Sequence, residues 1–287
     1  MLVKFAAKAQ GESHIEKDTP CQDAATACIG RNNTVGIACV ADGHGGVKYF
    51  RSDKGSVMAV QVAEKALLDF CGTIAREKAA FFDRKAASEN ANSSMIQSKL
   101  KELEGNIIYT WRNAVMQDIE KNPFTESEIE FCKKNNVDIN APANAMFVYG
   151  STLLAGLVSD NFWFALQIGD GLCVVLESHD NVSTPIADDE RLAFGRTTSL
   201  CDNDAIDNFR EAYGFGKIDG FTVATDGITD SFAPEKYLRF NKELYGKFNQ
   251  FSVKDAEKEL LNFLPAISER GSRDDISIAG IFRLKEQ

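Results

Sequence analysis

The apolar positions of this chain change their period more than once, and the changes divide it into blocks. Residues 2 to 9 alternate as a strand does, and a short apolar stretch follows Asp23. Asn32-Asn33 predicts a turn, and therefore an early hairpin, before the next run. That run, Val35 to Ala41, is unbroken, small and partly β-branched, which suits a strand buried on both faces. It ends abruptly in Asp42-Gly43-His44-Gly45-Gly46. Beyond it the period becomes helical. Val57, Val60, Ala63, Leu67 and Phe70 recur at steps of three and four, as do Ile96, Leu100, Leu103, Ile107, Trp111, Val115 and Ile119. Two amphipathic helices are expected, joined by a polar connector at about 83 to 94. Pro123 and Pro142 bracket an irregular or short-helical excursion over 122 to 148.

From Ser151 the strand signal returns. TLLAGLV, Ser159-Asp160-Asn161 and FWFALQI predict a β-hairpin, Gly169-Asp170-Gly171 a tight turn, and LCVVL another strand. Residues 178 to 216 are polar and aperiodic, and a loop of that length is usually functional or mobile. FTVATDGITD reads as a strand ending in Asp-Gly, with helices at about 234 to 248 and 253 to 264. GSRDDISIAGIF turns into a last strand. Strands and helices therefore come in blocks and not in βαβ alternation. The expected fold is α+β, with antiparallel sheets packed on each other and covered by helices. No repeat, low-complexity tract or linker interrupts the 287 residues, so 1–287 reads as a single domain.

Composition narrows the partners. The chain is 44% hydrophobic and 26% charged, as globular proteins are, and its net charge of -10 disfavours nucleic acid or an anionic membrane. Divalent cations can still reverse the local field for a phosphorylated substrate. Seven cysteines form no C-x-x-C pair, which removes a zinc signature. Their odd number, and a start without a secretory h-region, point to a reduced, cytoplasmic setting. No stretch approaches the roughly 18 apolar residues of a membrane span.

Five acidic positions stand at strand ends or turns: Asp23, Asp42, Asp170, Asp226 and Asp274, the last followed by Asp275. Each alone is an ordinary turn residue. On one rim they would repel one another unless cations sat between them. Their oxygens suit Mg²⁺ or Mn²⁺, and sparse His and scattered Cys argue against zinc or copper. Two such ions about 4 Å apart form machinery for phosphoester hydrolysis. A serine or threonine alkoxide leaves poorly, so a nearby acid helps. His44, two residues past Asp42, is the candidate, although a loop histidine alone is as readily a surface residue.

VADGHGG, GSTLLAGLV, QIGD, VATDGITD and SRDDIS, in this order, resemble the successive motifs of the metal-dependent protein phosphatases, the PPM or type 2C family. SHIEKDTPCQDA resembles the opening of its bacterial-type branch, and the likeness runs from about residue 11 to 282. The resemblance implies a four-layer α-β-β-α fold, a β-sandwich flanked by helix pairs with the metals at its edge. It implies hydrolysis of phosphoserine and phosphothreonine in a phosphorylated protein, with two Mg²⁺ or Mn²⁺ ions and a third, weaker one in many members. Matching positions would make Asp42 the bridge between metals, with the Gly43 carbonyl on one of them. Asp226 and Asp274 would complete the other shell. Asp23 would hold metal-bound water or bind an ion, Asp170 with Asp226 would take the third ion, and His44 would be the general acid. Residues 178 to 216 would be a variable flap that influences substrate choice.

The chain departs from the family pattern at several points. Gln22 stands where many members have Glu, and no Arg lies between Gly11 and Asp23 to grip the phosphate. His14 and Lys17 are the candidate substitutes. Gly169-Asp170-Gly171-Leu172 replaces Gly-Asp-Ser-Arg, and Asp274-Asp275 replaces Asp-Asn, with position favouring Asp274 as the ligand. These departures support a competing reading, a catalytically weak or inactive sensing or binding module on the same fold. A third reading, a two-metal enzyme for other phosphoesters such as nucleotides, lacks a phosphate-cradling loop or a basic, aromatic-rich surface.

Overall fold

The computed structural model describes residues 1–30, 33–76, 90–178, 181–189, 191–192 and 197–285. Strand β1 (Leu2–Ala9) and helix α1 (Glu12–Glu16) lead to the expected hairpin of β2 (Ala24–Gly30) and β3 (Val35–Ala41). Two long helices follow, α2 (Ser52–Arg76) and α3 (Asn90–Lys121). Of the connector expected at 83 to 94, residues 83–89 lie outside the described residues, and 90–94 belong to α3. The excursion contains α4 (Glu126–Lys134) and α5 (Pro142–Phe147). Next come β4 (Leu153–Val158), β5 (Phe162–Ile168), β6 (Leu172–Ser178), β7 (Asn181–Ser183), α6 (Ala205–Asn208) and β8 (Arg210–Phe215). The chain closes with β9 (Gly220–Ala224), α7 (Asp226–Thr229), α8 (Pro234–Gln250), α9 (Val253–Arg270) and β10 (Ile276–Arg283).

All the strand pairs are antiparallel, in two five-stranded sheets of order β1-β10-β9-β6-β7 and β2-β3-β4-β5-β8. The period-two geometry of a strand sends alternate side chains to opposite faces, and β3 shows why its run had to be apolar throughout. Val35, Ile37, Cys39 and Ala41 join the core under α2 and α3, whereas Ala38 and Val40 join the core between the sheets. On the other sheet, Val3, Phe5, Ile278 and Phe282 pack under α8 and α9. Small residues let the sheets approach. A Cβ on Gly156 would stand 1.9 Å from the ring of Phe221, and one on Gly36 would be 2.5 Å from Ile281. The four-layer α-β-β-α sandwich expected from the motifs is the architecture found.

Trp111, fully buried on α3, donates its indole N–H to the Gly55 carbonyl at 3.0 Å and so docks α3 on α2. Val57, placed on the buried stripe by its spacing, is exposed; Ala59 is buried instead. The aperiodic stretch 178 to 216 differs from the loop expected. Among its described residues are β7, α6 and β8, and β8 pairs with β5 from Gln167↔Arg210 to Phe162↔Phe215. Every residue of β8 is only partly covered, as suits an edge strand, so its sequence carries no clean apolar alternation.

Candidate metal centre

Three carboxylates meet where the two sheets end on one rim. Asp42 follows β3, Asp170 lies in the turn that carries the chain from β5 in one sheet to β6 in the other, and Asp226 follows β9 and opens α7. Each offers an oxygen, and the three oxygens lie within 4.8 Å of one another. The turn depends on its glycines. Gly169 and Gly171 have φ of 95° and 86°, in the left-handed region that side chains disfavour. A Cβ at Gly171 would also lie 2.5 Å from the Ala224 carbonyl. The Asp42 N–H donates to Thr152 Oγ1 and the Thr152 N–H to the Asp42 carbonyl, both at 2.9 Å, which ties the bridge candidate to the start of β4.

Such proximity is unfavourable while nothing offsets the charge. Burial pushes the Asp42 carboxyl well above the usual range, and Asp23, Asp226, Asp170 and Asp274 push it further. Asp226 is raised to about 8 by burial, then by Asp170, Asp23 and Asp274. Asp23 is raised to about 7, chiefly by burial, although a hydrogen bond from Thr225 opposes the shift. An all-oxygen, mutually repelling set is the donor chemistry that hard divalent cations satisfy.

The structure separates the remaining candidates. Asp23 is 1% exposed and accepts a hydrogen bond from the Thr225 hydroxyl at 2.7 Å, within reach of the cluster's field but outside the three-carboxylate group. Asp274 is half exposed, and its Oδ1 accepts the Asp275 N–H at 2.8 Å. Asp275 is buried and already committed: its oxygens accept the N–H groups of Gly11 and Gln22, both at 2.6 Å. His14, one candidate for the phosphate, lies with Nδ1 2.8 Å from Asp275 Oδ2 and Nε2 3.5 Å from Asp274 Oδ1. That placement turns its ring toward two carboxylates, which would compete with a phosphate for its N–H groups. Lys17 is exposed at the end of α1.

Gly43 leaves no room for a side chain, since a Cβ would stand 2.5 Å from the Ser52 carbonyl and 2.7 Å from that of Gln22. His44 is 8% exposed, with its ring edge-on to Tyr49 at 4.8 Å between centroids. Burial, and then Lys48, push its imidazole down to about 4. Its carbonyl accepts hydrogen bonds from Gln22 Nε2 at 3.2 Å and from the Ser52 hydroxyl at 2.9 Å. Gln22 also donates to Ser52 Oγ at 2.5 Å, so its amide braces the Asp42-Gly43-His44 loop. A carboxylate at position 22 would lose both donated bonds. Nothing near Gln22 in the sequence marks this bracing role, because its partners lie 22 and 30 residues away.

Arg51 was missed as well. It donates to both oxygens of Glu128, to Tyr149 Oη and to the carbonyls of Asn122 and Pro123, pinning the 122–148 excursion beside the loop. The signal available for that end was Thr125-x-x-Glu128, a capping box that the structure forms.

A family model described as protein phosphatase 2C matches residues 10–265. The chain belongs to the protein phosphatase 2C family. Its members are metal-dependent protein serine/threonine phosphatases, and three of the five ordered motifs of this chain supply Asp42, Asp170 and Asp226 to the rim just described. The fold is also that of solved bacterial phosphatases. The catalytic domain of the serine/threonine phosphatase PstP in complex with two manganese ions aligns at a TM-score of 0.55, with 15% identity over 99% of each chain. The Mycobacterium tuberculosis PstP/Ppp aligns at 0.54, with 13% identity over 99% of each. Stp1 from Staphylococcus aureus aligns at 0.53, with 12% identity over 99% of this chain and 96% of that one. Comparison with curated protein sequences finds no match. No helix among the described residues is long and apolar enough to cross a membrane.

Proposed function

We propose that this protein phosphatase 2C hydrolyses phosphoserine and phosphothreonine in proteins at the rim holding Asp42, Asp170 and Asp226. The observation that carries the reading is their convergence from three separate motifs to within 4.8 Å. Asp42, Asp226 and Asp170 would hold Mg²⁺ or Mn²⁺, with the Gly43 carbonyl and Asp274 as further oxygen donors. Asp23 adds its charge from behind. When bound, a pair of such ions supplies an activated water and screens the charge that develops on the phosphoryl group. Asp170 with Asp226 would serve a third ion.

His44 is assigned as the general acid that protonates the departing serine or threonine oxygen. That role needs the imidazolium, which burial disfavours; an arriving phosphate dianion would offset that cost. Of the two candidates for the phosphate contact, Lys17 is the freer, since His14 faces two carboxylates. The whole chain, with a flap at about 178–216, would act as one catalytic unit on a phosphorylated protein.

The test is hydrolysis of a phosphothreonine peptide by the purified chain with Mn²⁺, Mg²⁺ or EDTA, beside a calorimetric count of bound ions. Activity that survives EDTA would rule out the metal mechanism. Metal binding without turnover on any phosphopeptide would favour the binding-module reading, for which the absent phosphate-gripping arginine speaks.

A further inference from the structure

Beside Asp170 the surface opens into a cavity of about 680 Å³, within the range of ligand pockets, whose lining includes Asp170 but not Asp42. Its walls come from β6, from Ile186, Asp188, Asp189 and Leu192, from the start of β8 and from the turn between α7 and α8. Two kinds of surface meet in it. Ile186, Leu192 and Phe232 form apolar wall, while Asp188 and Asp230 add carboxylates to that of Asp170. Among the described residues, the two arginines beside the cavity, Arg191 and Arg210, are already occupied. Arg191 grips Asp189 through Nε and Nη2, and Arg210 donates to the carbonyls of Ala187 and Gly169 at 2.9 and 2.6 Å. Arg210 also lies 3.8 Å from Asp189, so both arginines make their ion pairs with Asp189. The charges of Asp188 and Asp170 act on Arg210 as well, but among the described residues Asp188 and Asp230 form no ion pair of their own.

An independent feature points to a ligand. Tyr237, from the first turn of α8, belongs to the cavity lining and is 1% exposed, yet its hydroxyl is buried and, although the Asn241 side chain one turn on is near enough to influence it, makes no hydrogen bond of ordinary geometry among the described residues. Buried hydroxyls in native proteins are almost always paired, and leaving one unpaired costs free energy. A group that donates a hydrogen bond from within the cavity would satisfy it.

We propose that this cavity is a substrate subsite that takes a basic side chain, arginine or lysine, flanking the phosphorylated residue. The proposal rests on the phosphatase reading, because it places the phosphoryl group at the neighbouring carboxylate rim. A long basic side chain fits both surfaces. Its methylenes lie along Ile186, Leu192 and Phe232, and its charged end donates to Asp188, Asp230 and the Tyr237 hydroxyl. An acidic side chain would meet like charge, and an aliphatic one would leave the polar atoms unpaired.

The experiment compares phosphothreonine peptides that differ only by Arg, Lys, Ala or Glu at each position flanking the phosphoresidue. Both kcat/KM with Mn²⁺ and binding of non-hydrolysable phosphonate versions are measured. At one position the Arg or Lys peptide should exceed the Ala peptide by about tenfold, the scale of a hydrogen-bonded charge, with Glu below Ala. In Asp188→Asn that ratio should fall toward one. Tyr237→Phe should lower it as well, and this near-isosteric change keeps the helix packing for the comparison. Equal hydrolysis and equal binding of the Arg, Ala and Glu peptides at every position would overturn the subsite while leaving the phosphatase intact. A ratio unchanged in Asp188→Asn would do the same. Tighter binding of the Arg phosphonate without hydrolysis of any peptide would keep the subsite and sink the phosphatase reading.

Discussion

The Thr225 hydroxyl donates to the carboxylate of Asp23 at 2.7 Å, across 202 residues of sequence and from one sheet of the sandwich to the other. The same hydroxyl accepts the Ser277 N–H at 3.0 Å, so one threonine joins the ends of β2, β9 and β10 behind the carboxylate rim. Thr225→Val keeps the shape and deletes both bonds. It should cost about 2 kcal/mol, as buried partners are left unsatisfied, and lower the melting temperature by roughly 6 °C. A variant as stable as the parent in a thermal melt would show the network to be dispensable.

The rim should make the metal-free protein less stable as pH rises. Asp23 and Asp226 have an ordinary carboxyl value near 3.8 when unfolded, and the folded protein raises them to about 7 and about 8. Between those limits the folded state binds more protons than the unfolded one, so stability falls with increasing pH. It is fully present only below the unfolded value and is lost through the folded values. Melts in EDTA should therefore show the midpoint dropping from pH 5 to pH 8. Adding Mn²⁺ should raise the midpoint most at pH 8, where the bound ions stabilise the ionised carboxylates. A midpoint that rises with pH in EDTA would contradict the crowding of these carboxylates.

What could be read from sequence alone has a physical boundary. The β3 run, the α2 and α3 stripes and the β4–β5 hairpin were legible because their burial is written in local periodicity. The rim aspartates were legible because the motifs that carry them are short and contiguous. Gln22 was not legible as a brace, nor Asp275 as an anchor. Their roles arise from partners up to 264 residues distant, and nothing in the local pattern marks them. Strand β8 was hidden by its half-covered edge position, and the arginines at 191 and 210 gain their meaning only from the fold that sets them around Asp189.

Asp42→Asn and Asp226→Asn should each reduce phosphopeptide turnover by far more than the roughly 10- to 100-fold typical of residues that only orient a metal ligand. Neither should unfold the protein. In EDTA each should melt at the same temperature or higher, because a repelling carboxylate has been removed. Paired calorimetry and kinetics separate this outcome from general damage. A variant with lost activity and a lowered metal-free midpoint would count against a ligand role.

His44→Ala should distinguish leaving groups. If the imidazole protonates the departing alkoxide, its loss should cost about 10²- to 10⁴-fold on phosphothreonine peptides. p-Nitrophenyl phosphate, whose leaving group needs little help, should lose much less. Because the ring also packs on Tyr49 and against Gly150, the contrast between substrates is the informative quantity and the absolute loss is not. Equal losses on both substrates would assign His44 to packing.

The adjacent pair Asp274-Asp275 should divide into a ligand and an anchor. Asp275 is 3% exposed and receives two backbone N–H groups at 2.6 Å, with His14 Nδ1 at 2.8 Å, so it fastens the 11–22 segment to the start of β10. Asp275→Ala leaves those donors buried and unpaired, which should cost about 3 kcal/mol and roughly 10 °C with or without metal. Asp274 is half exposed and accepts only its neighbour's N–H among the described hydrogen bonds, so its second oxygen can face the rim. Asp274→Ala should leave the metal-free melting temperature within about 2 °C of the parent. It should nevertheless raise the Mn²⁺ concentration needed for half-maximal activity. Should the two variants exchange these phenotypes, Asp275 would be the ligand, and its contacts with Gly11 and Gln22 would have to open on metal binding.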